Sequence, residues 1–399
     1  MIRVRRISID IILNFLASFV PLFVLQFLIQ PYVARKIGAD KYGSLLLILG
    51  IINIGIGVFG NTLNNARLLD NHFYQKEKGD YPILLIIFCL FNSLFTFFAL
   101  RIYQIHFDYF SYSVIIFTGV LAVSNSYFFA DYRIHLNYKK ILACKLSLTI
   151  GYGVGLLLFQ RTKRWEWIFF IGYLLEFGFV ILTTQISREP CHLTPNIKKT
   201  LQRLFFLVLS SVLGSGLVYL DRLIIFPVFG GAELSFYYAA SIVGKTLSLV
   251  TGPMTGVLLS YIVKIDRITK KQFSVYSITL LGFGILGFYI CLIISKPLIG
   301  LLYPDLLTAS LRYIPYTVAA SMFGIFYSFV WPIVLRFGKN SYPLIITVLK
   351  AIVYLGTAVF FVRTHGVLGI ALANLLASAT QAMTVFFLGF NISNKKSMS

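Results

Sequence analysis

The segment IGADKYGSLLL, residues 37–47, has a second version later in the chain, GGAELSFYYAA, residues 230–240. Each copy holds a Gly, an Ala and an acidic residue before the sequence becomes apolar again. We expect Gly38 and Gly231 to open a tight turn in each copy, because glycine accepts positive φ without a steric cost. Since the copies follow the first and the seventh long apolar run, the chain is predicted to consist of two similar halves.

The composition is that of a membrane protein. Hydrophobic residues make up 58% of the 399 residues and charged residues only 12%, whereas soluble domains carry about 25% charged residues. A membrane-spanning helix needs roughly 20 mostly apolar residues, and the chain has about twelve runs of that length. The runs fall at about 10–32, 43–65, 81–100, 109–130, 141–159, 166–186, 204–226, 234–262, 274–294, 309–335, 342–362 and 367–390.

The predicted fold class is an all-α polytopic membrane protein with about twelve transmembrane helices in two six-helix bundles. Because each half has an even number of helices, both halves start on the same side of the membrane. A pseudo-two-fold axis along the membrane normal then relates them, with a central cavity between them. We predict an N-terminal lobe at residues 1–187, a cytoplasmic linker at 188–202 and a C-terminal lobe at 203–399.

The net charge of +21 does not indicate a nucleic-acid partner, because the basic residues form small groups between apolar runs. Their excess on one side predicts a multi-pass protein with both termini in the cytoplasm. The four Cys and five His are scattered, so we expect neither a disulfide framework nor a metal site. No phosphate-binding loop or catalytic carboxylate pair is present, and we expect no cofactor.

Three ionisable residues stand deep inside apolar runs. Lys245 and Lys350 lie about 12–15 Å from their helix starts, at 1.5 Å per residue. Each either forms a structural ion pair or lines a cavity as a cation that meets an anionic ligand. Glu176 is either a coupling acid or the ion-pair partner of Lys145 on the preceding helix.

The segment VYLDRLIIF, residues 218–226, places Asp221 and Arg222 side by side in an apolar run. Adjacent helix positions point about 100° apart, so each charge needs its own partner. We predict that Arg222 faces the path between the halves, because guanidinium binds anionic groups bidentately. Asp221 is then a brace near the turn at Gly230 and Gly231. Alternatively, both residues are interfacial anchors.

The end of the second run, GNTLNNARL at residues 60–68, clusters Asn61, Asn64 and Asn65. These amides either bind the hydroxyl groups of a ligand or satisfy carbonyls at the helix end, and the second interpretation is favoured. Arg35, at the end of the first run, is either an anchor or a substrate-binding cation.

Two segments resemble a known family. PYVARKIGADKYGSLLL (31–47) and YLDRLIIFPVFGGAELSFYYAASIVGK (219–245) are similar to the polysaccharide-repeat flippases of the multidrug/oligosaccharidyl-lipid/polysaccharide exporter superfamily. The resemblance covers the whole chain in helix count and layout, and Arg35 stands at a position that is commonly basic in the family. Phe226 departs from the pattern, since a Gly is common there.

The resemblance implies a flippase of the bacterial inner membrane. Such a protein moves undecaprenyl-diphosphate-linked oligosaccharide to the outer leaflet by alternating access, for capsule or O-antigen synthesis. The expected substrate-binding cations are Arg35, Arg222, Lys245 and Lys350. We expect a monomer in contact with membrane lipids and with a polysaccharide polymerase, and coupling to H⁺ or Na⁺ stays open.

Two other functions compete. A cation-coupled multidrug exporter of the same superfamily needs acids in the first half to bind cationic drugs, and only Glu176 qualifies. The excess of buried cations favours an anionic substrate instead. A glycan polymerase or ligase usually has a large outer loop with essential Arg or His residues, and the outer loops here are short. We therefore predict a transporter and not an enzyme.

Overall fold

The computed structural model describes residues 2–70, 79–105, 107–195, 197–262, 265, 267–339 and 341–393. Within these ranges the chain is helical, with no β-strand. The α-helices are α1 (Ile2–Phe23), α2 (Gln30–Ile37), α3 (Ala39–Gly55), α4 (Asn61–Asp70), α5 (Asp80–Ile102), α6 (Tyr109–Ile134), α7 (Tyr138–Thr162), α8 (Glu166–Thr183), α9 (Ile197–Ile262), α10 (Lys270–Leu302), α11 (Leu307–Ser310), α12 (Ile314–Phe337), α13 (Tyr342–His365) and α14 (Val367–Ile392).

Eleven helical stretches in the described ranges are long and apolar enough to cross a membrane. Two of them contain a π-helical turn: Val24–Ile29 joins α1 to α2, and Ile56–Gly60 joins α3 to α4. Large apolar side chains such as Ile86, Leu90 and Phe98 on α5 are exposed, as lipid-facing side chains are. The prediction of an all-α polytopic membrane protein is confirmed.

The count of membrane stretches differs from the predicted twelve because the seventh and eighth apolar runs lie on one helix, α9. The helix is broken at a single residue, Gly230, with φ 85° and ψ 176°. A one-residue break needs no loop, and the sequence pattern alone does not distinguish such a break from a tight turn.

The described chain divides into two compact units. The first comprises Met1–Lys36 and Ser44–Pro227, and the second comprises Ile37–Gly43 and Val228–Ser399. In the first unit α7 packs on α8 and α1, and α6 packs on α4, α5 and α8; in the second, α14 packs on α12 and α13. The first part of α9 groups with the first unit, whereas the predicted C-terminal lobe starts at residue 203. The predicted lobe boundaries stay a prediction.

The segment predicted to link the lobes packs firmly within the first unit. Arg67 donates to Glu189 (Nη2 to Oε1, 2.5 Å), and its guanidinium lies 5.1 Å from the centroid of the Tyr81 ring. The Asp80 carboxylate accepts from the backbone N–H and the hydroxyl of Thr194 at 2.7 and 2.6 Å. These contacts fix the linker to the ends of α4 and α5.

The two repeated segments lie against each other in the second unit. Gly38 has φ 81°, which confirms the predicted turn. In the second copy the positive φ falls on Gly230 and not on Gly231. Gly231 has a different role, because a Cβ there would overlap the Asp40 carbonyl oxygen and a Cβ at Gly43 would overlap the Gly231 backbone. The absence of side chains is therefore what permits this close backbone approach.

Candidate functional site

A polar cavity of ≈ 280 Å³ lies inside the first unit, and we call it the amide cavity. Its α6 wall consists of residues at positions i, i+3, i+4, i+7 and i+11, which is one face of a helix. The polar face of α6 thus turns inward although the helix as a whole is apolar. The cavity is lined by Ile56, Asn61, Asn64, Ala122, Asn125, Ser126, Phe129, Arg133, Lys145, Leu148, Tyr173 and Glu176.

Glu176 and Lys145 form an ion pair at the floor of the amide cavity, with 2.7 Å between Nζ and Oε1. The pairing that the sequence suggested between them is confirmed. The other carboxylate oxygen of Glu176 accepts from Asn125 Nδ2 at 3.1 Å, and the glutamate side chain is 1% exposed. Lys145 and Asn125 therefore each donate a hydrogen bond to the buried carboxylate.

The asparagines at the start of α4 bind across to α6. Asn64 Nδ2 donates to the carbonyl of Ser126 at 2.7 Å, and the Ser126 hydroxyl donates to Asn61 Oδ1 at 2.6 Å. Arg133 Nη1 donates to Asn64 Oδ1 at 2.8 Å and to Asn65 Oδ1 at 3.4 Å. The favoured interpretation, capping at the end of their own helix, thus gives way to contacts between helices.

A second cavity of ≈ 420 Å³ adjoins the first and shares Phe129, Arg133 and Lys145 with it. We call it the basic cavity, because its lining holds two cations and no carboxylate among the described residues. Lys145 Nζ lies 4.6 Å from the centroid of the Phe129 ring at the junction. The basic cavity is lined by Asn14, Ala17, Ser18, Leu68, Phe129, Arg133, Leu136, Tyr138, Ile141 and Lys145.

Arg222 lies on α9 and is 9% exposed. Its Nη1 donates to the carbonyl of Leu46 on α3 at 2.9 Å, and its guanidinium lies 5.0 Å from the centroid of the Tyr219 ring. A Cβ at Gly50 would lie 3.3 Å from Arg222 Cδ, so Gly50 leaves room for the arginine stem. This contact favours a bracing role for Arg222, which the sequence assigned to its neighbour.

Asp221 accepts the backbone N–H of Arg222 through Oδ1 at 2.8 Å. The predicted partner was a side chain or backbone amide near the turn at Gly230 and Gly231, whereas this hydrogen bond is to the next residue in the chain. Asp221 is half-buried on α9.

The other predicted cations do not line either cavity. Lys245 is half-buried. Its ammonium lies 4.5 Å from the centroid of the ring of Tyr238, which stands earlier on the same helix, α9. Lys350 is half-buried on α13 and makes no hydrogen bond or ion pair within the described part of the chain. Arg35 is exposed. Their role as substrate-binding cations stays a prediction.

Sequence reasoning missed Arg133 and Asn125. A signal was present in SNSYFFADYR (124–133), because Asn125 and Arg133 are eight residues apart and therefore share a helix face. Arg133 lies just beyond the fourth apolar run, 109–130, and was not considered as a site residue. Only the packing of α6 on α4 places it beside Asn64.

Solved structures similar to this chain are membrane transporters. They include the lipid II flippase MurJ in an inward closed conformation, with TM-score 0.64, 13% identity, and coverage of 95% of this chain and 86% of that chain. An inward-facing multidrug resistance MATE family transporter of the MOP superfamily gives TM-score 0.63, 12% identity, and 94% and 97% coverage.

A third similar structure is a MOP superfamily transporter from Pyrococcus furiosus, characterised by a reverse polarity of its binding pocket. It gives TM-score 0.59 and 12% identity over 95% of this chain and 94% of that chain. No family model matches the sequence, and no curated protein matches it. The chain therefore shares the fold of these solved structures, and its eleven long apolar helical stretches are those of a multi-pass membrane protein.

Proposed function

We propose that the chain is a flippase for lipid-linked oligosaccharides in the bacterial inner membrane. It takes the diphosphate-linked repeat unit of a surface polysaccharide at the cytoplasmic leaflet and releases it at the outer leaflet by alternating access. Both termini are cytoplasmic in this proposal. A polymerase that extends the released repeat unit is the expected partner.

The observation that carries the proposal is the chemistry of the two cavities in the first unit. Their lining holds Arg133 and Lys145 against a single acid, Glu176. Lys145 already neutralises that acid at 2.7 Å. The surplus positive charge suits an anionic diphosphate, and guanidinium is well shaped to bind it.

The amide groups of the cavity suit the sugar part of the substrate. Asn61, Asn64 and Asn125 line the amide cavity together with the Ser126 hydroxyl. Amides both donate and accept hydrogen bonds, and sugar hydroxyls do the same. A site with convergent amides and cations therefore matches a substrate that carries hydroxyls and phosphates together.

The competing function, multidrug export, has equal support from the fold, because MATE transporters are among the similar structures. Multidrug export requires an acidic side chain that a cationic drug can reach, and Glu176 does not provide one. Glu176 is 0% exposed and is engaged by both Lys145 and Asn125. A cationic drug would have to displace a lysine to reach it.

The test is a transport assay on the purified chain in proteoliposomes. Lipid-linked oligosaccharide starts in the inner leaflet, and a glycosidase added outside reports its arrival in the outer leaflet. Cleavage that depends on the protein supports the flippase. Export of a cationic dye from the same vesicles, without oligosaccharide movement, would establish the drug exporter instead.

A further inference from the structure

The basic cavity lies between α1 and α7, away from the amide groups that suit a sugar. α1 contributes Asn14, Ala17 and Ser18, which share one face at i, i+3 and i+4. α7 contributes Tyr138, Ile141 and Lys145, also from one face. The two helices pack on each other directly. Two membrane-spanning helices of one unit therefore form two of the walls of the cavity.

The cavity opens at one end of the first unit. Leu136, in the turn between α6 and α7, lines it and is 66% exposed. Lys145 lies seven residues beyond the start of α7, which is about 10 Å along the helix axis. Both cations are therefore close to helix ends, because Lys145 lies about two turns into α7 and Arg133 lies in the last turn of α6.

Arg133 presents an unused edge of its guanidinium. Nη1 is engaged by Asn64 and Asn65. Within the described residues, both hydrogen bonds of Arg133 are made by Nη1, and Nη2 and Nε make none. This Nη2–Nε edge is the fork that binds two oxygens of one phosphate in parallel.

The charge of the lining selects an anion. Arg133 and Lys145 both line the basic cavity, and the carboxylate that pairs with Lys145 lies on the amide-cavity side only. The volume of ≈ 420 Å³ falls within the range of about 300–1,000 Å³ that is typical of small-molecule sites. Hydroxyl and amide groups from Ser18, Tyr138 and Asn14 complete a polar wall.

The remaining lining favours a lipid over a soluble ion. Leu68 and Ile141 line the same cavity, and Ile12 and Leu16 on α1 are exposed apolar side chains on the membrane side. A lipid bound here keeps its chains in the bilayer along α1 while its phosphate reaches the two cations.

We propose that the basic cavity is a docking site for the phosphate or diphosphate group of a lipid, held by the free edge of Arg133 and by Lys145. This inference deepens the proposed function and rests on it for the identity of the lipid, since the diphosphate of the substrate stops here before its sugars reach the amide cavity.

The test measures binding and not transport. Microscale thermophoresis on the purified full-length chain compares a polyprenyl diphosphate with sodium pyrophosphate and with phosphatidylcholine. We expect the wild type to bind the polyprenyl diphosphate more tightly than either. Arg133→Gln should weaken that binding roughly tenfold or more, because a hydrogen bond to a charged group contributes about 1.5–3 kcal/mol.

Lys139→Gln is the matched control, because Lys139 is an exposed cation in the first turn of α7 that lies outside both cavities. Its affinity should stay close to that of the wild type. Arg133→Lys keeps the charge but loses the fork, so intermediate binding is expected. If Arg133→Gln binds the polyprenyl diphosphate as tightly as the wild type does, the basic cavity is not the phosphate site. If pyrophosphate binds as tightly as the polyprenyl diphosphate, the site does not select a lipid.

The two proposals fail in different ways. If the wild type moves no oligosaccharide in proteoliposomes while Arg133→Gln still weakens lipid binding, the proposed flippase function is wrong and the proposed phosphate site is supported. If the wild type moves oligosaccharide and Arg133→Gln binds and transports normally, the site falls and the flippase function stands.

Discussion

Lys145 and Glu176 lie 2.7 Å apart, Nζ to Oε1, but only one of them is fully buried. The lysine side chain is 30% exposed and faces both cavities, whereas the glutamate side chain is 1% exposed. In this pair the Lys145 ammonium is accessible to a ligand, whereas the Glu176 carboxylate contacts only neighbouring protein groups. Removing the lysine would leave a buried carboxylate with the Asn125 amide and the Cys144 thiol as neutral donors.

Lys145→Met is therefore expected to destabilise the folded protein, because breaking a buried pair costs about 3–5 kcal/mol. Lys145→Met/Glu176→Gln should regain most of that stability, since no uncompensated charge remains. Thermal unfolding in detergent measures both variants. A double variant as unstable as Lys145→Met would contradict the pair as the source of the effect. The stable double variant should still bind polyprenyl diphosphate weakly, because the cation is gone.

Replacing Lys350, unlike replacing Lys145, is not expected to destabilise the folded protein. Lys350 makes no hydrogen bond or ion pair among the residues that the structure describes, although it lies half-buried in α13. Lys350→Met should leave stability unchanged or raise it, because a partly desolvated charge is replaced by an apolar side chain of similar length. If it serves the proposed function, oligosaccharide transport falls in the same variant.

The outcome that would exclude Lys350 from transport is full activity of Lys350→Met. Lys339→Met is a suitable control, because Lys339 is an exposed lysine just beyond the end of α12. Both variants are compared in the proteoliposome assay, with folded yield in the membrane as the second readout.

The sequence was sufficient to predict the class of fold and the position of most helices. Apolar runs of membrane length leave few alternatives, since backbone groups in lipid must be satisfied within a helix. It was also sufficient to suggest the Lys145–Glu176 pair, because an isolated acid in an apolar run needs a cation nearby.

Other features depend on packing and were out of reach. The basic cavity needs Arg133, and its approach to Asn64 depends on how α6 lies against α4. Gly230 and Gly231 are adjacent and chemically identical, so the sequence did not decide which one takes the positive φ. In the structure Gly230 has the positive φ, and Gly231 is the position with no space for a side chain, because its backbone approaches Asp40.

This close approach predicts that Gly231→Ala and Gly43→Ala each lower the yield of folded protein. The added methyl groups would overlap backbone atoms, and overpacking of this kind costs roughly 1–3 kcal/mol or more. Gly214→Ala on α9 is the control, because a Cβ there meets no atom within 4 Å. Fluorescence-detected size-exclusion chromatography reports the folded fraction. Equal yields for Gly231→Ala and Gly214→Ala would show that the backbones can move apart freely.

The linker between the predicted lobes gives a further prediction. Arg67 is 2% exposed and bonds Glu189 at 2.5 Å, so Arg67→Leu leaves a buried carboxylate without its cation. A loss of about 3–5 kcal/mol is expected. Arg188→Leu removes an exposed arginine from the same segment and should change stability little. Limited proteolysis of the linker provides the measurement, and equal cleavage rates for the two variants would contradict the clamp.

The segment VYLDRLIIF yields the last prediction, because its two charges make different contacts in the structure. Arg222 donates to the Leu46 carbonyl on α3 at 2.9 Å and is 9% exposed. Asp221 Oδ1 accepts the backbone N–H of Arg222 at 2.8 Å. The arginine is thus the residue that joins α9 to another helix, and Gly50 provides the space for it.

Arg222→Met is expected to lower the folded yield, because it removes a charge-assisted hydrogen bond between α9 and α3 worth about 1.5–3 kcal/mol. Asp221→Asn should be tolerated, since the amide oxygen can still accept the same N–H. Folded yield and oligosaccharide transport are measured together on both variants. A folded Arg222→Met protein that has lost transport would return Arg222 to the substrate path, as the sequence predicted, and would remove the brace. Gly50→Ala tests the same contact from the other side, because its methyl group would press on Arg222 Cδ at 3.3 Å and should reproduce part of the loss in folded yield.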